Sequence, residues 1–173
     1  YIKSSAVYFA VTRIAEAGAM VPIGVKQRVK GEEAKPVENH EYELLMQRPN
    51  PKMTRFQLME HTFGGLEVTG NSYWWLNLVG GKPAEIWPLR SDRMKVVPDP
   101  VNYVKGYVYT LDGKQIPFEP ETIVHFKRWH PLDDYVGLST IEAASMTIQR
   151  DSAAQKWSIG FYSDNNAVPA SAV

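Results

Sequence analysis

The sequence predicts an α+β fold in which an antiparallel, hairpin-rich sheet packs with several helices. A hairpin pattern occupies residues 69–98, a capping box starts a helix at Thr54, and another capping box starts a helix at Ser139. No internal repeat, low-complexity tract or clear domain break interrupts these signals. We therefore expect residues 1–173 to form a single α+β region.

The central hairpin is the most strongly predicted element. Gly80 and Gly81 separate two runs rich in aromatic and branched residues, and glycine adopts the positive φ of a primed two-residue turn without steric cost. The faces of the first strand are expected to carry Tyr73, Trp75 and Asn77 on one side and Trp74, Leu76 and Leu78 on the other. Because both faces are apolar, we expect the strand to be covered on both sides and to seed the core.

The first thirty residues predict a helix and a strand. A helix capped by Ser4 or Ser5 is expected to run to about Gly18, with an apolar stripe formed by Val7, Ala10, Val11 and Ile14. Residues 21–29 alternate apolar with polar side chains toward their end, which predicts a strand with one solvated face.

Two helices are predicted before the hairpin. Asn39 or His40 caps a short helix that Pro49 stops. The second begins at the capping box of Thr54 and Gln57 and ends near Gly70. Its apolar side is expected to consist of Phe56, Met59, Phe63 and Leu66, and the adjacent glycines 64 and 65 indicate a close backbone approach or a kink.

Strands and a final helix follow the hairpin. Strands are predicted at 94–97, 103–110 and 123–130, with a turn at Asp112-Gly113. Proline residues 88, 98 and 100 mark strand ends or sheet edges, since proline cannot donate to a ladder. The last helix, from Ser139 to about Ser163, is apolar on more than one side, so it is expected to be buried or shared with a partner.

Composition excludes several function classes. Nineteen basic and nineteen acidic residues cancel, which argues against a tight general binder of DNA or of anionic membranes. The absence of cysteine removes disulfides, thiolate catalysis and zinc–thiolate sites. No run of about 18 apolar residues occurs, so no membrane span is expected. The chain begins at Tyr1, and we expect it to be a piece of a longer protein.

Charge is unevenly distributed near the amino terminus. Residues 1–30 hold five basic residues and one acidic residue, whereas residues 31–45 hold five acidic residues and one basic residue. Solvated surface explains both blocks. The functional alternative is a pair of complementary patches between neighbouring copies in an assembly.

Candidate catalytic and metal-binding groups cluster between residues 125 and 139. His125 and His130 with Asp133 and Asp134 could form a metal site, but their spacing matches no metal motif. Ser139 with a histidine and Asp134 could imitate a nucleophile triad, yet no Gly-x-Ser-x-Gly elbow surrounds it. Neither a phosphate loop nor a dinucleotide fingerprint is present. We assign no catalytic, cofactor or metal residue, no cofactor, and no enzymatic activity.

The sequence leaves two alternative functions open. A nucleic-acid-binding module would stack bases on Trp74 and Trp75 and contact phosphates through Lys127 and Arg128. A small hydrolase, the less favoured alternative, would use His125, Asp134 and Ser139. The first predicts salt-dependent binding of short DNA.

The ordered set of landmarks resembles the portal protein family of tailed bacteriophages, in its siphophage-type branch. The matching stretches are Arg48-Pro49-Asn50-Pro51 with Met53-Thr54, Thr69-Gly70-Asn71-Ser72-Tyr73-Trp74, Ile86-Trp87-Pro88-Leu89-Arg90, Val124-His125-Phe126, and Tyr135-x-Gly137-Leu138-Ser139, and they continue through Asp151 and Trp157 to Pro169. Thr140 and Ser72 depart mildly from the family pattern. Since the family is roughly twice as long, the chain resembles the amino-terminal wing, and most of the channel helix, clip and crown is expected beyond Val173.

The resemblance implies a structural subunit of a dodecameric ring at the capsid vertex of a phage or prophage virion. It implies packaging and ejection of double-stranded DNA through the ring. Terminase, capsid or scaffold protein, and head–tail adaptors are the implied partners, with assembly in the host cytoplasm and no membrane. Ring contacts must be head-to-tail, and charge reversal at Glu32, Glu33 and Glu38 in the full-length protein is expected to impair them.

Overall fold

Residues 4–31, 33–37 and 39–164 are described by the computed structural model of the chain. The predicted α+β class is confirmed. The helices are α1 (Ser5–Met20), α2 (Glu41–Gln47), α3 (Arg55–Thr69), α4 (Thr140–Ala143) and α5 (Ser145–Asp164). Glu32, Glu38 and Pro169, which the sequence analysis singled out, lie outside the described residues.

The described strands form three small antiparallel sheets. The strands are β1 (Lys26–Gln27), β2 (Lys35–Pro36), β3 (Asn71–Val79), β4 (Lys82–Leu89), β5 (Met94–Asp99), β6 (Tyr103–Leu111), β7 (Lys114–Phe118) and β8 (Ile123–Lys127). Their orders are β1-β2, β4-β3-β8 and β5-β6-β7. The hairpin-rich prediction thus holds, but the strands are divided among three sheets, and β8 is the second neighbour of β3.

The central hairpin forms as predicted. Gly80 and Gly81 have φ of 60° and 80°, and Trp75 pairs with Trp87 across the strands. Pro88 lies on the edge strand β4 and Pro98 on the edge strand β5. Proline has no backbone N–H, and an edge strand tolerates this absence because one of its sides has no neighbouring strand. The positions of these prolines at sheet edges are confirmed.

Strand β3 lies between two apolar clusters, as its two apolar faces predicted. On one face Tyr73 packs with Val96, Tyr107 and Ile123. On the other face the buried cluster consists of Trp74, Met46, Leu58 and Ile86. The clusters place β3 between a helical layer and the β5-β6-β7 sheet.

Helix α1 packs on α3 through small residues. Its buried positions are Val11, Ala15 and Ala19, whereas Ile14 is 48% exposed and Ala10 is exposed. Of the predicted stripe, Val11 is buried and Val7 is half-buried, whereas Ala10 and Ile14 are exposed. The reason is close helix approach: a Cβ on Gly18 would lie 2.5 Å from the Phe63 ring, so α3 fits only against a face of small side chains.

Helix α3 has the predicted start and end but a different buried line. Thr54 and Gln57 form the capping box in both directions, and Gly70 ends the helix with φ 74°. The buried residues are Leu58, Thr62 and Glu67, while the predicted apolar side is half-buried apart from the exposed Phe56. Trp74 explains the buried threonine, because its Nε1 donates to Thr62 Oγ1 at 2.8 Å. The predicted close approach occurs at Gly65, whose Cβ would lie 3.0 Å from the Asn71 carbonyl oxygen.

The caps of α1 and α2 agree with the sequence, but two predicted strands are too long and the predicted final helix is divided. Ser4 caps α1 and His40 caps α2. The strand predicted over 21–29 is wrong except at Lys26–Gln27, because Pro22 and Gly24 interrupt pairing. Strand β8 ends at Lys127 rather than at 130. The single final helix is divided at Ala144 into α4 and α5.

Candidate functional site

Three chain segments meet at the start of β3. The end of α3, the end of β8 and the loop before α4 contact one another through six residues that we call the junction: Glu67, Gly70, Asn71, Arg128, Gly137 and Ser139. A Cβ on Gly70 would lie 2.5 Å from the Gly137 carbonyl oxygen, and Arg128 N donates to the Gly70 carbonyl oxygen at 2.9 Å. Because side chains are absent at both glycines, the two backbones touch.

The Asn71 carboxamide ties these segments together. Its Oδ1 accepts from Gly137 N at 2.7 Å, and its Nδ2 donates to the carbonyl oxygens of Thr69 at 2.8 Å and of Gly137 at 3.2 Å. Asn71 is buried, so each of these bonds replaces a lost contact with water. One side chain thereby fixes the loop that precedes α4.

His125 supports Asn71 from the neighbouring strand. Its Nε2 lies 3.0 Å from Asn71 Oδ1, which is an acceptor, so the neutral ring carries its proton on Nε2. The ring stacks on Tyr73 at a centroid distance of 4.2 Å and meets Tyr107 edge-on. Burial, with a smaller contribution from Lys127, lowers the pKa of His125 to about 4. The imidazole is therefore a neutral packing and hydrogen-bonding group at physiological pH.

Glu67 anchors α4 from within the core. The buried carboxylate pairs with the Arg128 guanidinium through Oε1, and its Oε2 accepts from Thr140 Oγ1 at 2.8 Å. Ser139 caps α4 by accepting from Ile141 N, and its hydroxyl donates to the Val68 carbonyl oxygen at 2.8 Å. The end of α3 thus holds the start of α4 through side-chain and backbone groups.

A second tie fixes the turn before α3 to the hairpin. Asn50 is buried, its Nδ2 donates to the Ile86 carbonyl oxygen at 2.8 Å, and Ile86 N donates to the Pro49 carbonyl oxygen at 2.7 Å. Asn50 Oδ1 also accepts from Lys52 N at 2.9 Å, which closes the turn. The Arg48-Pro49-Asn50-Pro51 stretch is therefore a structural clamp on β4.

The residues of the hydrolase alternative have other roles. Ser139 is a helix cap, His125 is held by Asn71, and the Asp134 backbone carbonyl accepts from Lys127 Nζ and the Tyr103 hydroxyl. His130 Nδ1 accepts from Leu132 N at 3.0 Å, and Asp133 Oδ1 accepts from two backbone amides. Across the described ranges, no three His, Asp or Glu side chains come together as a metal site would require. This hydrolase alternative gains no support from the geometry.

The base-stacking platform is also not assembled. Trp74 is buried against Phe126, and Trp75 is half-buried beside Phe118. Lys127 interacts with Tyr103, and Arg128 with Glu67. The face of Trp74 is therefore covered by the protein itself.

In the part of the chain that is described, none of the helices is long and apolar enough to cross a bilayer.

The final helix α5 is poorly covered by the other residues that the structure describes. No described side chain of α5 is buried, and Trp157, which stacks on Phe161, is 73% exposed. The sequence prediction that this helix is buried or shared with a partner is thus not met by the described residues alone. Among the residues described, the junction holds backbone segments together, and no metal-binding cluster is found there.

Sequence reasoning identified the landmarks of the junction but not their roles. Asn71, Gly137 and Glu67 had no predicted function, although two of them lie in stretches quoted for the family resemblance. Their partners are distant in sequence: Asn71 and Gly137 are 66 residues apart. The sequence signal that could have indicated these residues was the occurrence of small and polar residues at the ends of predicted helices and strands.

Comparisons with known proteins identify relatives of this chain. A family model described as phage portal protein matches residues 5–173. An uncharacterized protein of Rickettsia bellii (strain RML369-C) is 28% identical over 179 residues, which span 100% of this chain and 45% of the relative. A relative from Rickettsia felis (strain ATCC VR-1525 / URRWXCal2) is also 28% identical and is covered to 45%.

Solved structures share the fold. A chain in the neck of an empty gene transfer agent (GTA) particle, computed with C6 symmetry, has a TM-score of 0.80 and 35% identity, with 97% of this chain and 45% of that chain covered. A chain in the neck of a native GTA particle, computed with C12 symmetry, gives 0.78 and 35%, with coverage of 94% and 42%. An HK97 family phage portal protein from Corynebacterium diphtheriae, at 17% identity and a TM-score of 0.57, covers 91% and 47% and shares the fold. The chain spans less than half the length of these relatives.

Proposed function

This chain belongs to the phage portal protein family, and we propose that it is the amino-terminal wing of a structural subunit in a portal ring. The family match over residues 5–173 carries this proposal. The similar chains in GTA necks, computed with C6 and C12 symmetry, support a cyclic assembly of identical copies. We take residues 1–173 as one region of that subunit and the dodecamer as its assembled form.

In this role the ring would stand at a capsid vertex of a virion and conduct double-stranded DNA during packaging and ejection. Terminase, capsid or scaffold protein and head–tail adaptors would be its partners, with assembly in the host cytoplasm. The zero net charge of the chain supports a conduit, because tight phosphate binding would hold DNA that must slide. The site geometry supports a non-enzymatic role, since the side chains of the junction hold backbone rather than a reaction centre.

The junction would give the wing its rigidity. A ring that carries DNA under load needs each subunit to hold its helices at fixed angles, and the contacts of Asn71 and Glu67 set the start of α4. This assignment predicts that weakening the junction reduces ring formation as well as folding stability.

The test is the mass of the full-length protein that contains this chain, measured by light scattering after a sizing column. We expect a closed assembly, as a cyclic head-to-tail interface implies, with about the twelve subunits that the family resemblance implies. A monomer at all protein and salt concentrations would contradict the proposal.

A further inference from the structure

The first residue of β6 has a strained backbone. Tyr103 has a φ of 69°, and across it Val104 N donates to the Asn102 carbonyl oxygen at 2.8 Å. A hydrogen bond between residues two positions apart closes a γ-turn, and a positive φ at its centre makes it the rare, strained form. Glycine and asparagine tolerate a positive φ, whereas a bulky aromatic residue is an outlier there.

The residues before Tyr103 keep the strain at this position. Asp99 pairs with Tyr103 across the hairpin that joins β5 to β6. Its Oδ1 accepts from Val101 N at 2.7 Å and from Asn102 N at 2.8 Å. These bonds fix the loop up to Asn102, so the chain completes its reversal at Tyr103, and the unfavourable φ falls on that residue.

The Tyr103 side chain makes contacts that oppose this strain. Its hydroxyl donates to the Asp134 carbonyl oxygen and accepts from Lys127 Nζ at 2.9 Å, and Lys127 Nζ donates to the same carbonyl oxygen. The ring packs on Tyr135 at a centroid distance of 4.9 Å. We call Tyr103, Lys127, Asp134 and Tyr135 the Tyr103 latch. The latch joins the start of β6 to the end of β8 and to the loop before α4.

The Tyr103 latch lies at the surface. Tyr103 is 49% exposed, and Lys127 and Asp134 are also exposed. Water competes for exposed hydrogen bonds, so the net contribution of these bonds is modest and similar in size to the cost of a strained φ. When two opposed contributions nearly balance, a second conformation is populated at equilibrium.

The junction limits how far an opening of the latch can spread. Arg128 N donates to the Gly70 carbonyl oxygen, and Gly137 N donates to Asn71 Oδ1. These two bonds hold the chain on either side of residues 129–136. The loop can therefore move away from β6 while both of its ends, and the start of α4, stay in place.

We propose that the Tyr103 latch is a conformational switch between residues 99–103 and residues 129–136. In the closed state, which the structure shows, the hydroxyl contacts hold the γ-turn. In the open state Tyr103 has a negative φ, the Val104–Asn102 hydrogen bond is lost, and the loop is released from β6. Backbone strain favours the open state, and the side-chain contacts favour the closed one.

The switch changes a surface of the subunit. Val101 lies on the first segment and is 86% exposed, whereas Trp129 and Leu132 lie on the second and are 82% and 91% exposed. Opening moves the two segments apart and so changes the spacing of these apolar side chains. This inference goes beyond the proposed function and concerns the fold of one subunit, so it does not require a ring.

Hydrogen exchange of the full-length protein, followed by mass spectrometry, measures the switch. Tyr103→Phe keeps the ring and the strained φ but removes the hydroxyl. We expect peptides covering residues 99–104 and 130–136 to exchange about tenfold faster than in wild type, since modest hydrogen bonds are lost. Tyr109→Phe is the matched control on the same strand. The Tyr109 hydroxyl bonds to none of the described residues, so this variant should exchange as wild type does.

A second variant separates backbone strain from lost contacts. Tyr103→Asn removes both the ring and the hydroxyl, but asparagine tolerates a positive φ. We expect the 130–136 peptides to exchange as fast as in Tyr103→Phe, whereas the 99–104 peptides should return toward the wild-type rate. If Tyr103 acted through its contacts alone, losing the whole ring would open residues 99–104 further than losing the hydroxyl.

Peptides of β3 report on the rest of the fold and should exchange at the wild-type rate in every variant. Wild-type exchange throughout Tyr103→Phe would overturn the inference, because the hydroxyl would then not hold the closed state. Faster exchange of residues 99–104 in Tyr103→Asn than in Tyr103→Phe would overturn the role of strain. Faster exchange of β3 in Tyr103→Phe would show unfolding of the subunit in place of a local switch. Each of these results leaves the proposed function standing.

Discussion

Gly137 lies directly against Gly70, with a Cβ on Gly137 falling only 2.1 Å from the Gly70 carbonyl oxygen. Gly70 has φ 74°, a left-handed conformation that ends α3 and turns the chain into β3. The contact joins two segments 67 positions apart in the sequence, and no side chain can be added without moving one of the backbones.

Alanine at Gly137 is therefore expected to destabilise the protein by about 2–3 kcal/mol, because the added methyl group must displace backbone. Gly24→Ala is the control, since its Cβ would meet only the Glu43 carboxylate at 3.6 Å and should change stability by less than about 0.5 kcal/mol. Urea unfolding measures both. Equal effects of the two substitutions would contradict the close contact.

Ser72→Ala is expected to stabilise the protein. Ser72 is fully buried, and among the described residues its hydroxyl has no hydrogen-bond partner. Removing an unsatisfied buried hydroxyl should gain about 1 kcal/mol in the free energy of unfolding. Ser91→Ala provides the contrast: its hydroxyl donates to the Asn71 carbonyl oxygen at 2.7 Å, so its loss should cost about 1 kcal/mol. A destabilised Ser72→Ala protein would indicate an unrecognised partner for this hydroxyl.

The Glu67–Arg128 pair should respond asymmetrically to substitution. Glu67 is buried, whereas the Arg128 side chain is 43% exposed. Arg128→Met leaves a buried carboxylate without its counter-charge and should lower the free energy of unfolding by about 2–3 kcal/mol. Glu67→Gln keeps an acceptor for Thr140 and should lower it by about 1 kcal/mol. Thermal unfolding gives the ranking. A larger loss for Glu67→Gln than for Arg128→Met would contradict the expected penalty for leaving the buried carboxylate without its counter-charge.

His125 should make stability fall at acidic pH. Burial lowers its pKa from 6.5 to about 4, so between these values the unfolded chain binds a proton that the folded chain does not. Its contribution is therefore full above pH 6.5 and is lost progressively toward pH 4, by about 1–2 kcal/mol once partial solvent exposure is considered.

The measurement compares unfolding free energies of wild type and His125→Gln at pH 7 and pH 4.5. Burial also lowers the pKa of His61, and carboxylates titrate in this range, so only the difference between the two proteins reports on His125. Glutamine retains a donor for Asn71, and the variant should lose less stability on acidification. Parallel pH profiles would contradict the neutral buried imidazole.

Local signals in the sequence were sufficient for the hairpin and the helix starts. Gly80-Gly81, the Thr54–Gln57 box and the Ser139 cap each depend on residues within four positions, so their geometry follows from the residue types alone. The buried face of a helix was harder to predict from the sequence. Helix α1 is apolar at both Ile14 and Ala15, and the close approach of Phe63 to Gly18 decides which of the two is buried.

The junction could not be predicted from local patterns. The contacts of Asn71 and Ser139 join residues 66 to 72 positions apart. Nothing near Gly137 in the sequence indicates that it must approach Gly70. The family resemblance marked several of these residues, but only the packed chain shows that they contact one another.

The most direct test of the portal assignment is a cryo-EM reconstruction of the full-length protein. We predict a ring with a central hole in which this α+β region repeats around the circumference, with the Asn71 and Glu67 contacts holding α4 in every copy. A solitary subunit under all assembly conditions, or a closed assembly without a central hole, would contradict the account.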